Sequence, residues 1–181
     1  MRIVAMNFEE LTLTTRASML AALEAEDASE RPFRSKLLTE EGHDAYLVLV
    51  REALDRGDEV SFGAALTKPR YWKETDSAGK TVDMPSRAVG LALTEFNTWY
   101  VAGLADILVS ESETHCQVYR AADPLYTQGA CSVHEEKTYS LEDVVKGHRI
   151  AYHPRDGVRV RDAFTIPSVT GCHHTIRRVR S

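Results

Sequence analysis

Residues 85–108 read PSRAVGLALTEFNTWYVAGLADIL, and this stretch decides the fold. Pro85 suits the first turn of a helix, where its missing N–H has no partner to lose. Val89, Ala92, Leu93, Phe96, Trp99, Tyr100, Leu104, Ile107 and Leu108 then recur at a spacing near 3.6 for more than five turns. The spacing predicts one long amphipathic helix as the spine of the molecule. Phe96 and Trp99 are expected in the core or in a subunit contact.

On the N-terminal side the pattern stays helical. Phe8, Leu11, Leu13, Met19, Leu20 and Leu23 predict a helix over 7–26 with Asn7 as its cap, stopping in the polar run before Pro32. A second helix is expected from Thr39, whose hydroxyl precedes Glu40 and Glu41, to Gly57. Residues 59–66 read as a short strand or a third helix. Residues 68–84, with Pro69 and Asp76-Ser77-Ala78-Gly79, read as an exposed hairpin or linker.

Past Ser110 the period changes. Gln117 to Tyr119 and Gly157 to Ile166 look strand-like, Ser140 caps a short helix ended by Gly147, and Thr175 to Val179 alternates as a last strand. Helices first and short strands later define an α+β class. The expected layout is a helical arm and linker over 1–84, followed by a compact module of short antiparallel strands over 85–181.

Composition narrows the class of protein. The chain has 181 residues, 43% apolar and 27% charged, as in a soluble globular domain. No apolar run approaches the roughly 20 residues that cross a bilayer, and no export signal opens the chain, so no membrane partner is expected. The net charge of −5 is uneven: residues 157–181 hold five arginines against one aspartate, leaving −9 on the remainder. Arg177, Arg178 and Arg180 could make weak contact with DNA through its phosphates.

Candidate chemistry gathers late in the chain. All three cysteines and six of the seven histidines lie between His115 and His174. Thiolate and imidazole suit tetrahedral zinc, so Cys116, Cys131, His134 and Cys172, with His173 or His174 as substitutes for the last, form the candidate ligand set of a structural site. Three cysteines cannot all pair, which favours thiols over a disulfide scaffold. Each cysteine also has a histidine within three residues, a neighbourhood from which only the fold could make a catalytic pair. Glu111 and Glu113 form a Glu-x-Glu pair of the sort ADP-ribosyltransferases use, at what reads more simply as a solvated helix exit. Walker, Gly-x-Gly-x-x-Gly, Gly-x-Ser-x-Gly and His-Glu-x-x-His signatures are absent. Arg56-Gly57-Asp58 reads as a helix terminus.

The order of features over residues 85–181 resembles the C-terminal module of the tailed-phage minor head proteins, the head-morphogenesis family related to the F protein of phage Mu. Arg87, Ala92, Thr94, Glu95, Asn97 and Gly103 resemble that family's helix, Cys116 and Cys131 its middle, and Tyr139 to Asp143 its short helix. His153-Pro154, Cys172 and Thr175-Ile176-Arg177-Arg178-Val179 resemble its close. The resemblance implies a low-copy virion component near the portal inside the capsid, present in the host cytoplasm during assembly, whose partners are portal or capsid subunits. The alternative expectation is an enzyme acting on nucleotides or nucleic acid, either through Glu111 and Glu113 or as a zinc-dependent hydrolase through Cys131, His134 and Cys172.

Overall fold

The computed structural model describes residues 5–30, 32–123, 130–153, 164–168 and 172–180. Its elements run α1 (Leu13–Asp27), α2 (Glu40–Arg56), α3 (Glu59–Ala65), α4 (Met84–Ser110), β1 (His115–Arg120), β2 (Thr138–Ser140), α5 (Leu141–Lys146) and β3 (His174–Arg178), with 3-10 turns at Pro69–Tyr71 and Ala130–His134. The chain is α+β, with helices packed around one long helix and a small antiparallel sheet of order β2-β1-β3.

Helix starts follow their caps. Thr39 accepts from the Gly42 amide and opens α2, and Ser140 accepts from Asp143 to open α5. Asp58 and Ser61 form a reciprocal capping box that resolves 59–66 as helix. The first helix begins later than its apolar pattern predicts: Thr12, not Asn7, is the cap. The Asn7 amide instead donates to the Ala121 carbonyl, pinning the leading segment beside the end of β1.

Helix α4 is the axis of the core. From Ala92 to Val101 every residue is buried, because α1, α3, α5 and β3 cover it from several sides. Trp99 and Phe96 lie fully inside, as the stripe predicts. Gly103 sets the distance to α1, since a Cβ there would stand 2.7 Å from the Met19 amide nitrogen.

The core runs unbroken from Met19 and Leu23 of α1 through α4 to Val118 of β1 and Ile176 of β3. It crosses the boundary expected at residue 84, so the described residues before that point pack as part of the same body. The segment 68–84 does turn back on itself, through a Thr75–Thr81 bridge, but Tyr71 and Trp72 are buried and the Trp72 indole donates to the Leu66 carbonyl. The strand expected over 157–166 lies mostly outside the described residues, and 164–166 is not strand.

Candidate functional site

The proposed zinc ligands do not converge. Cys116 is fully buried in the main core on β1, where burial pushes its thiol up to about 12. Antiparallel register sets Cys116 opposite Arg178 and Arg120 opposite His174. The four steps from His174 to Arg178 alone span roughly 13 Å, and Cys172 lies beyond them, so Cys116 and Cys172 cannot share an ion. His134 bonds the Tyr139 hydroxyl through Nδ1 and packs against the Phe164 ring. Cys131 falls in the 3-10 turn, and its side chain lies outside the described residues. Among the described residues no group of three His, Cys, Asp or Glu side chains is arranged to hold a metal.

Glu111 and Glu113 sit at the exit of α4, Glu111 as its C-cap residue, and both engage the guanidinium of Arg178 at 2.5 and 3.5 Å. Glu10 approaches the same arginine. Arg177 is buried between Glu9, Glu136 and Gln117, and Arg180 pairs with Glu9. The basic tail that composition offered to DNA is therefore matched by carboxylates of the protein itself. A phosphate would have to displace them.

The motif residues of α4 also work internally. Glu95, wholly buried, receives Arg149 Nη1 at 2.8 Å and Nη2 at 2.6 Å, and also the Tyr46 hydroxyl. Arg149 lies between the faces of Trp99 and Phe33, its guanidinium carbon 4.5 and 4.6 Å from their ring centres. Glu26 stands 3.0 Å from Arg149 Nε, close enough to ion-pair yet off the N–H axis, so no hydrogen bond forms there. Asn97 Nδ2 donates to the His174 carbonyl at 2.8 Å and so ties β3 to the helix.

Above this network lies an open trough of about 1590 Å³ between α1, α4 and α5. Its walls are mostly small or apolar: Ala21, Ala25 and Ala102, with Val109 and Val145 largely exposed to solvent. One end is polar, with Glu26, His148 and His153 beside Trp99. Burial works to raise the Glu26 carboxyl, but the hydrogen bond from His148 and the charge of Arg149 outweigh it and hold it below its usual value. Glu30, Asp106 and Glu142 add carboxylates to the rim, against Lys146.

The titrations predict acid sensitivity. His43, His134 and His173 are each held below the ordinary imidazole value, burial being the leading cause. The unfolded chain takes up these protons first, near pH 6.5, so the associated stability is complete above that pH and is lost as pH falls through the folded values. Glu26 and Glu135, also held low, add a second loss below the ordinary carboxylate range. The urea midpoint should hold between pH 7.5 and about 6.5 and fall from there to pH 5, and a flat profile would contradict these environments.

Sequence reasoning missed the trough and the Arg149 network. A buried arginine inside Lys-Gly-His-Arg carries no periodic signal, and the trough exists only where three helices meet. Comparison with protein-family models, with curated proteins and with solved structures finds no match to this chain.

Proposed function

We propose that this chain is a virion assembly component that works by docking, with the trough between α1, α4 and α5 as its contact surface for a helix of a portal or capsid subunit. The observation that carries the reading is the trough itself, an open apolar channel in which Val109 and Val145 lie exposed, with none of the described residues packed over them. The residues that composition offered for chemistry at Cys116, Glu111 and Glu113 are occupied by packing and ion pairs. Support for the virion setting comes from the order of motifs over 85–181. Within that order Glu95 and Asn97 brace the loop and strand that follow, as befits a module built for shape.

Size and charge specify the occupant. An α-helix about 10 Å across advances 1.5 Å per residue, so roughly 13 residues would fill the volume. Small side chains along Ala21, Ala25 and Ala102 allow a helix to come close, and the acidic rim asks for lysine or arginine on its flanks. Host cytoplasm during assembly and the capsid interior afterwards are the proposed locations.

The test uses two labelled 13-residue amphipathic helices with the same leucine and alanine face, one flanked by lysine and one by glutamate. Anisotropy should show binding of the cationic helix, weakened by salt. Val109→Asp with Val145→Asp should weaken it about tenfold or more, since each valine contributes of the order of 1.5 kcal/mol when covered. Binding of neither helix, or binding indifferent to the double substitution, would overturn the docking site.

A further inference from the structure

We propose that Cys172, His174 and Glu135 form a nucleophilic thiol site that accepts a small acyl group from an ester and hydrolyses it. This is an activity separate from docking at the trough, and it depends on none of the trough's residues.

The geometry is a relay. Cys172 Sγ lies 3.8 Å from His174 Nδ1, and His174 Nε2 lies 2.7 Å from Glu135 Oε1 on the opposite edge of the ring. Because the imidazole stands between them, thiol and carboxylate cannot ligate one ion; they flank a ring that can carry a proton from one side while the other side is held. A carboxylate only accepts, so Nε2 must carry the hydrogen that it donates to Glu135. That tautomer leaves the Nδ1 lone pair facing the sulfur, as a general base requires. Of the two cysteines whose side chains are described, only Cys172 has an imidazole within reach; Cys116, with its thiol driven up by burial, is the inert comparison.

Each member is fixed from behind. Arg120 Nε donates to Glu135 at 2.9 Å, and the Asn97 amide holds the His174 carbonyl. Ser168 Oγ lies 3.8 Å from Cys172 Sγ and can donate to a developing thiolate. His173 makes neither of the two contacts of the relay and couples to His174 through charge.

The reaction balances on these groups and water. The thiol proton passes to His174 Nδ1 as Sγ attacks the ester carbonyl carbon. The carbon–oxygen bond of the ester then breaks, and the departing alcohol takes that proton from His174. A water molecule, deprotonated by His174, attacks the thioester carbon; the carbon–sulfur bond breaks, the sulfur recovers its proton, and a carboxylic acid leaves. Cys172 is only 3% exposed, so an acetyl group is the substrate proposed and longer chains should be discriminated against.

The test mixes the full chain, in a Cys131→Ser background, with p-nitrophenyl acetate and with p-nitrophenyl octanoate. A burst of p-nitrophenol near one equivalent with the acetate, a smaller response to the octanoate, and an acetyl adduct on the peptide bearing Cys172 are expected. His174→Gln should slow acylation about 100-fold or more, the size of a general-base contribution. Should that variant not fold, Glu135→Gln serves, because Glu135 is the partly exposed member and positions the ring. There the rate should move to higher pH, where the thiol ionises unaided, while the unfolding midpoint changes little. Arg120, His134 and His173 are the other charged or titratable groups acting on this cluster and remain in place. An adduct absent from Cys172, a rate equal to that of the Cys172→Ser variant, or an unmoved pH profile in Glu135→Gln overturns the proposal.

Discussion

Replacing Arg149 with methionine should lower the stability of the protein by about 3–5 kcal/mol, the range seen when one partner of a buried ion pair is removed. The cost arises from what remains. Glu95 is 0% exposed and would keep only the Tyr46 hydroxyl against its charge. Trp99 and Phe33 would lose the cation packed between them, and Glu26 its nearest guanidinium. Arg149 also sits at φ 59, a left-handed turn that most side chains avoid at a cost of about 1 kcal/mol, so strong contacts are needed to hold it there.

A further result follows from that origin. Adding Glu95→Gln to Arg149→Met should restore part of the loss, because a neutral amide still accepts from Tyr46 without a stranded charge. A loss under about 1 kcal/mol, or a double variant no better than the single one, would contradict a buried pair of this kind. His148 and His153 flank this arginine and line the polar end of the trough, so the single variant should bind the cationic helix less tightly as well.

The part of this structure that the chain announces locally is the part set by caps and periods. Thr39, Ser140 and Pro85 mark helix starts because a cap is a contact between residues two or three apart, visible in a short window. The α4 stripe is visible because one side of a helix repeats every 3.6 residues. Asn7 misled for the same local reason: as a residue type it suits a cap, yet its amide serves a partner 114 positions away. The zinc set failed at longer range. Clustering in sequence placed Cys116 and Cys172 together, whereas antiparallel pairing sends them to opposite ends of the sheet. Pairing of Glu95 with Arg149 across 54 residues, and of Cys172 with Glu135 by way of His174, depends on how α4 and β3 pack. No short-range pattern encodes such contacts.

Gly147→Ala should be the most damaging of the small substitutions, costing about 3 kcal/mol at the upper end of the overpacking range. Gly147 has φ −81, an ordinary value for any residue, so conformation is not the obstacle. Space is: a Cβ would stand 1.6 Å from the Phe164 carbonyl oxygen, a backbone atom that no rotamer change can move aside. The segment 164–168 must lift, breaking the stack of Phe164 on Tyr139 at 3.8 Å and carrying Ser168 away from Cys172. Gly79 makes the control, because its φ of 76 penalises a side chain while nothing lies within 4 Å. Gly79→Ala should therefore cost only about 1 kcal/mol and leave Cys172 reactivity unchanged, whereas Gly147→Ala should unfold at a lower urea concentration and alter the rate at which iodoacetamide reaches Cys172. Equal losses in the two variants, or a Cys172 rate that ignores Gly147→Ala, would mean that 164–168 does not rest on the end of α5 as the geometry requires.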